Sequence, residues 1–226
     1  MNRNCLSAHI NMQEYKRTFK YNDVDALVLS IKYPIISIKH NPLAERLINN
    51  QIAMNVNDYV RYADYMYHQA IDFYHESQQN DFPFHGFEAY MEYNITYNDN
   101  SFLSLFVDKY EYTGGAHGST LRSSNTWELC SGLEVPLYAL FIPGSNYRHL
   151  LIDLIELQAE YNLTQNPGIY FDEYNSLIIK NFNQDSFYLT PNGITIYYQQ
   201  YDIAPYSTGI VEFTIPYEEI GWYPIC

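Results

Sequence analysis

The sequence predicts an α+β protein built from two strand-and-helix lobes. Two observations support this fold class: runs of alternating apolar and polar residues, which are typical of half-buried strands, and stretches with apolar residues at helical spacing. We expect an N-terminal lobe at residues 1–115 and a C-terminal lobe at residues 116–226. At 226 residues the chain has ample length for a hydrophobic core.

The first lobe begins with a strand-forming segment and a long helix. Residues 25–39 are rich in β-branched side chains and contain Pro34, which predicts one bent strand or two short ones, with Pro34 at an edge or kink. Asn41 and Pro42 are typical of a helix start. Helical spacing then continues to about Ser77 and predicts a helix that lies across a sheet, with these apolar positions along it: Leu43, Leu47, Ile52, Val56, Tyr59, Ala63, Met66, Ala70 and Tyr74.

A hairpin follows this helix. Residues 87–97 alternate between apolar and polar side chains, and residues 102–112 form the returning strand after a turn at 98–100. Residues 119–128 resemble a further strand, which ends at the turn Ser131-Gly132.

The second lobe mixes helices with short strands. Ser145 is a candidate cap for a helix over residues 146–161. Along or beside one face of that helix we expect Leu150, Leu151, Leu154, Ile155 and Gln158. Further along the chain, the pattern predicts a shorter helix at 172–181, a hairpin at 187–198, a strand at 211–215 and a final helical turn from residue 216.

The composition limits the possible partners. The chain has 26 acidic residues against 12 Lys and Arg, a formal net charge of −14, which argues against binding to nucleic acid or to anionic lipid. Such a charge favours a basic partner, although it also serves solubility. Some of the 25 tyrosines could add an aromatic recognition surface.

Cysteine usage and the N-terminus bear on the compartment. Cys5, Cys130 and Cys226 show no metal-ligand spacing and leave room for one disulfide, with reduced thiols as the default expectation. No signal peptide and no span of about 20 apolar residues is evident. The sequence alone therefore suggests either a cytoplasmic chain without a membrane span or one from which an export leader has been removed.

A glycine-rich turn lies between the predicted strands at 102–112 and 119–128. It reads Tyr112-Thr113-Gly114-Gly115-Ala116-His117-Gly118, and three glycines around one histidine indicate a backbone that needs tight, positive-φ geometry. We take Tyr112, Thr113, Gly114, Gly115, His117 and Gly118 as a candidate binding turn.

Together with the 129–133 turn and the segments 187–193, 203–206 and 213–220, this turn resembles a bacterial family of largely unknown function. Its better-known relatives are the extracytoplasmic region of RsiV-like lysozyme-sensing anti-sigma factors and the accessory region of PdaC-like peptidoglycan deacetylases. The resemblance implies a C-terminal lobe similar to an Hsp70-type ATPase subdomain, without ATPase activity. It also implies export and a recognition role. The chain shows no sigma-binding segment, and it lacks the aspartate pair and the His-x-x-x-His motif of the deacetylase domain.

Two sets of histidines are candidate reactive groups. His117 lies on the glycine turn and could act as a general base, but it could equally hydrogen-bond the local backbone. His68, Asp72 and His75 share one face of the long helix at a spacing that could hold Zn²⁺, although a solvated polar stripe explains them as well. We commit to no cofactor and no metal site.

Other candidates have ordinary structural explanations. Glu88 and Glu92 lie on one face of a strand, as paired-carboxylate chemistry would need, but alternation on a half-exposed sheet also places them there. Glu218 and Glu219 fit a helix N-terminus, and Cys130 is expected to be buried.

The sequence therefore predicts a non-enzymatic recognition module. The resemblance gives it a possible partner, a basic cell-wall-active protein such as lysozyme, which would bind an acidic, tyrosine-bearing surface. The alternative is a glycan hydrolase or metal-dependent enzyme that uses His117 or the His68/Asp72/His75 face, and a third hypothesis is a structural domain that assembles with itself. The oligomeric state stays open.

Overall fold

The α+β architecture predicted from the sequence is confirmed by the computed structural model, which describes residues 5–225. Contacts divide the chain into two units. The long-helix unit comprises His9–Tyr93 and Val107–Leu121, and the C-terminal unit comprises residues 5–8, Asn94–Phe106 and residues 122–225. The predicted lobes divide the chain at one point, whereas both units are discontinuous because the hairpin strands contribute residues to each.

Five strands form the larger sheet in the order β1-β2-β3-β4-β5. Their bounds are β1 His9–Tyr21, β2 Val24–Ser37, β3 Phe87–Asp99, β4 Phe102–Tyr112 and β5 Ser119–Glu128. β1 pairs antiparallel with β2, and β2 pairs parallel with β3. The sequence did not predict β1, because nearly all of its side chains are exposed and its apolar residues keep no regular alternation.

Pro34 lies inside β2, which is one continuous strand. It pairs with Met12 of β1, whereas the parallel pairing with β3 covers only Leu27 to Lys32 of β2. Pro34 therefore lies beyond the part of β2 that pairs with β3, so its missing N–H removes no hydrogen bond to that strand.

Helix α1 extends over Pro42–Gln79, and at ~1.5 Å per residue it is about 57 Å long. The Asn41 side chain accepts a hydrogen bond from the Ala44 N–H at 3.3 Å, which confirms the predicted cap. Of the apolar positions at helical spacing, Leu43 and Leu47 lie on the outer side of α1, where they are 55% and 40% exposed. Ala44 and Ile48 are buried instead, because they continue the stripe formed by the later inward residues.

Within the long-helix unit, Tyr59 ties α1 to two strands. The phenol is buried, and its hydroxyl lies 3.3 Å from the Tyr90 carbonyl oxygen and 3.2 Å from that of Tyr110. Burial is the main cause that raises the pKa of Tyr59. The neutral phenol therefore remains a hydrogen-bond donor throughout the physiological pH range.

The described part of the C-terminal unit contains a second sheet and three α-helices. The sheet has the order β6-β7-β8, with antiparallel pairs between neighbours. The elements are α2 Tyr147–Gln165, α3 Tyr174–Asn181, β6 Phe187–Thr190, β7 Gly193–Tyr198, β8 Val211–Pro216 and α4 Tyr217–Ile220. These bounds agree with the elements predicted from the sequence to within a few residues.

α2 departs from the prediction in two details. Its N-cap is Asn146, and no side chain forms a cap hydrogen bond there, so the predicted Ser145 cap is wrong. Its buried residues are Leu151, Ile152, Ile155 and Ala159. Leu150, placed along or beside one face with Leu151 and Ile155, is exposed, since α2 carries apolar residues on more than one side.

A buried serine connects three strands of the C-terminal unit. The Ser104 hydroxyl of β4 lies 2.7 Å from that of Thr126 on β5, and it accepts the N–H of Leu189 on β6 at 2.9 Å. Both of these neighbours are buried as well. A buried hydroxyl without partners would be costly, so this network specifies how the strands meet.

The cysteines differ from the default expectation. Cys5 is disulfide-bonded, so the expectation of a reduced thiol is wrong there. Cys130 is a reduced cysteine, and it is exposed rather than buried. Cys226 lies outside the described residues. Among the helices of the described part of the chain, none is long and apolar enough to cross a membrane.

Tyr93 makes unfolding sensitive to high pH. Burial raises the pKa of its phenol from 10.0 to about 12, with an opposing contribution from Asn55. The folded state therefore favours the protonated phenol, and this stability is complete below pH ~10 and is lost as the pH rises to about 12. We predict that Tyr93→Phe reduces the loss of unfolding free energy over this pH interval by on the order of 2 kcal/mol.

The measurement is urea unfolding of both proteins at several pH values between 9 and 12. The other tyrosines with raised pKa values are present in both proteins, so the difference isolates Tyr93. Parallel pH profiles for the two proteins would contradict the prediction.

Candidate functional site: the glycine turn and the outer face of α2

The glycine turn joins β4 to β5 within the long-helix unit. Gly114 has φ +82°, and a Cβ there would lie 2.4 Å from Cε1 of the Phe73 ring on α1. A Cβ on Gly118 would lie 2.4 Å from the Tyr110 ring. Two of the three glycines are therefore required by close packing, whereas nothing lies within 4 Å of a Cβ on Gly115.

His117 is exposed at the surface of this turn. Its Nδ1 lies 3.0 Å from the Gly118 carbonyl oxygen, so Nδ1–H donates to the backbone next to it. This contact fits a histidine that stabilises its own turn. Tyr112, Thr113 and Gly115 are parts of the same loop and are half-buried or exposed.

The histidines of α1 point to solvent. His68, Asp72 and His75 are all exposed. The His75 Nε2 is 2.9 Å from the Tyr21 hydroxyl of β1, so one imidazole already has a protein partner. Within residues 5–225, no three His, Cys, Asp or Glu side chains are arranged to hold a metal ion.

The two glutamates on one face of β3, Glu88 and Glu92, interact with different partners. Glu92 forms an ion pair with Lys32 at 3.0 Å, whereas Glu88 interacts with the Tyr90 phenol. Burial and the neighbouring Glu88 raise the pKa of Tyr90. Glu218 and Glu219 occupy the first turn of α4, as predicted from the favourable charge at a helix N-terminus.

A surface that the sequence analysis did not identify lies on the outer side of α2. Leu157 and Tyr161 are 63% and 64% exposed, and Leu150, which is 38% exposed, lies on the same side. Asp153 and Glu160 border these residues on the helix and are exposed too. We call Leu150, Asp153, Leu157, Glu160 and Tyr161 the α2 face.

Three contacts fix the orientation of α2, so the α2 face cannot turn inward. The Gln158 side-chain amide donates to the Thr214 carbonyl on β8 at 3.0 Å. The Asn162 amide donates to the Tyr170 hydroxyl at 3.1 Å, and Arg148 donates to the Ile179 carbonyl at 2.8 Å. Burial raises the pKa of the Tyr170 phenol.

The α2 face lies in the more acidic unit. Apart from histidine, the cationic residues described in the C-terminal unit are Arg122, Arg148 and Lys180. Its acidic residues are Asp99, Glu128, Glu134, Asp153, Glu156, Glu160, Asp172, Glu173, Asp185, Asp202, Glu212, Glu218 and Glu219. The negative charge that the composition reveals is therefore concentrated in the unit that carries the α2 face.

A sequence signal for this surface existed. Leu150, Leu157 and Tyr161 recur at intervals of seven and four, a helical spacing that parallels the inward set Leu151, Ile155 and Ala159. A helix with two apolar sides next to one sheet leaves one side uncovered. Spacing alone could not tell which side would be buried.

Comparisons with known proteins agree with this architecture. Residues 21–120 match the family model described as deacetylase PdaC, and residues 138–218 match the model of DUF3298, a protein family of unknown function. A DUF3298 crystal structure from Bacteroides fragilis is 21% identical, with a TM-score of 0.73, over 95% of this chain and 92% of that one. A second, from Pseudomonas aeruginosa, is 18% identical, with a TM-score of 0.60, over 96% and 93%.

The chain has the DUF3298 fold. The family resemblance inferred from the glycine turn and the C-terminal segments is thus confirmed, with a PdaC-like region before a DUF3298 region. No curated protein matches the chain. The similarity to an Hsp70-type subdomain stays a prediction.

The glycines of the turn give a matched pair of variants. We predict that Gly114→Ala lowers the unfolding free energy by about 1–3 kcal/mol, because φ is positive and the new methyl group would collide with Phe73. Gly115→Ala should change it by less than about 0.5 kcal/mol, since that site is open. Urea unfolding measures both. Equal losses would contradict the packing explanation.

Proposed function

We propose that this DUF3298-fold protein is a non-catalytic recognition module that binds a basic protein, such as lysozyme, through the α2 face. The observation that supports this most directly is the exposure of Leu157 and Tyr161 beside Asp153 and Glu160 on a helix whose other side is buried. Contiguous exposed apolar side chains with a polar border are typical of protein interaction sites.

The apolar centre of the α2 face would supply most of the affinity. Tyrosine side chains are enriched among the residues that dominate binding energy, since they bury much area with few rotatable bonds. Tyr161 and Leu157 lie one helical turn apart, so both can contact one partner. Their large exposed fractions mean that a partner can cover area that the fold leaves in water.

The acidic border of the α2 face determines which net charge a partner must have to be attracted. Asp153 and Glu160 lie in the more acidic unit of a chain with a net charge of −14. An acidic partner would be repelled at this surface, and a basic partner would be attracted. These exposed charges act mainly on the association rate and its salt dependence.

Two contacts support a role without catalysis. The His117 Nδ1 is engaged by the backbone of its own turn, and the His75 Nε2 lies against the Tyr21 hydroxyl. Hydrolysis would need a base oriented towards a nucleophile or an activated water.

The disulfide at Cys5 supports an extracytoplasmic location for this function. Disulfides persist in oxidising compartments and are rare in the cytosol. We therefore propose that the protein functions outside the cytoplasm, where it would meet a basic cell-wall-active protein.

Calorimetric titration of hen-type lysozyme at low and physiological salt tests the proposal. We expect saturable one-to-one binding that persists at physiological salt. Leu157→Ala combined with Tyr161→Ala should weaken it at least tenfold, because the apolar centre is removed. Asp153→Asn with Glu160→Gln should mainly reduce the salt dependence.

Tyr65→Ala is the matched control, because Tyr65 is an exposed tyrosine on α1 outside the α2 face. It should leave the affinity within about twofold. Heat that disappears with salt, or equal losses in Tyr65→Ala and the α2 variants, would contradict the proposal. Light scattering tests the alternative that the protein is a structural domain that assembles with itself. Self-assembly through the α2 face would give an oligomer in the unmodified protein, and the α2 variants would be monomers.

A further inference from the structure

A cavity in the acidic C-terminal unit is lined by positively charged side chains. It has a volume of about 390 Å³ and lies where the start of α2 meets the end of α3. Its lining consists of Tyr147, Arg148, Lys180, Asn181, Phe182, Asn183 and Gln184. Two of the unit's three described Lys and Arg residues line it, and no carboxylate does.

The two cations of this cavity are not neutralised by the protein. Of the residues that the structure describes, none forms an ion pair with Arg148 or Lys180, although Arg122 in the same unit is paired with Glu212. The Arg148 guanidinium lies 5.4 Å from the centre of the Phe182 ring and donates to the Ile179 carbonyl. This contact holds the guanidinium in place and leaves further N–H groups of the fork for a ligand.

The amide side chains present donors as well. The Oδ1 of Asn183 accepts the Asp185 N–H at 3.0 Å, and the Oε1 of Gln184 accepts the Tyr147 hydroxyl at 3.1 Å. With these oxygens engaged, the amino groups of Asn183 and Gln184 are the parts that can bind a ligand. No side chain caps the first turn of α2. The positive end of the helix dipole therefore adds to the positive charge of Arg148 and Lys180.

A neighbouring cavity clarifies the position of Arg148. That cavity also contains Asp153 and Glu156, yet Arg148 does not pair with either carboxylate in the described chain. The guanidinium instead lies near the Phe182 ring and donates to the Ile179 carbonyl. A site rich in donors, with two uncompensated cations and an aromatic wall, matches an acceptor-rich anion.

From this arrangement we propose that the Arg148–Lys180 cavity binds a small ligand with an oxyanion group, a carboxylate or a phosphate, on a body of monosaccharide or amino-acid size. Arg148 would bind the oxyanion in its fork, Lys180 would add a second charge, and the Asn183 and Gln184 amino groups would donate to the remaining oxygens. This site does not depend on the α2 face or on a basic partner.

Three probes of one size test the proposal by an NMR titration of the isotope-labelled protein at low salt: sodium glucuronate, glucose 6-phosphate and glucose. We expect saturable shift changes confined to residues 147–148 and 180–184 with at least one of the two anions, and none with glucose. Tighter binding of glucuronate would indicate a carboxylate ligand, and tighter binding of glucose 6-phosphate would indicate a phosphate ligand. Failure of both anions, or an equal response to glucose, would overturn the proposal.

Lys180→Gln and Arg148→Gln should each weaken binding roughly tenfold, as expected for a lost charge-assisted hydrogen bond. Lys180 has no described hydrogen-bond partner to lose, so its variant keeps the test independent of folding defects. Lys39→Gln removes an equal charge from an exposed site in the long-helix unit and should leave the affinity unchanged. Equal weakening by all three would indicate only a general charge effect and would contradict a site at this cavity.

Discussion

The constraint on which the proposed function depends is that α2 can bury only one of its two apolar sides. Leu151, Ile155 and Ala159 pack into the core of the C-terminal unit, and Gln158 holds the helix to β8 through the Thr214 carbonyl. With that side fixed, the residues on the opposite side must face water. The exposure of the α2 face is therefore a consequence of core packing. Its apolar area stays in water in the folded protein, and a bound partner could bury that area.

Charge divides the C-terminal unit into two kinds of surface. The α2 face combines exposed apolar residues with an acidic border, whereas the cavity at Arg148 and Lys180 gathers cations that have no ion-pair partner among residues 5–225. Opposite charges placed so near to each other would normally pair. Their separation is maintained by Phe182 and the Ile179 carbonyl, which hold the guanidinium on the side of the cavity. A protein with a strong net charge can thus still offer a local site for an anion.

Most of the fold could be predicted from the sequence, because alternation, helical spacing and turn residues are local signals. β5 and the hairpin at β6 and β7 were predicted nearly to the residue. β1 was missed because its side chains are nearly all exposed and its apolar residues keep no regular alternation. In α1, helical spacing alone could not show that Leu43 would lie on the exposed side. The glycine turn was recognised, but the need for Gly114 depends on Phe73, which is distant in sequence. The α2 face could not be predicted because solvent exposure is decided by tertiary packing.

Site-specific photo-crosslinking tests the central claim most directly. Benzoylphenylalanine would replace Leu157 on the α2 face in one protein and Met54 on α1 in another, two positions that are 63% and 66% exposed. Irradiation with lysozyme at physiological salt should give a one-to-one adduct from position 157, which excess unlabelled protein suppresses, and no specific adduct from position 54. An adduct from position 54 alone, or equal adducts from both positions, would contradict recognition through the α2 face.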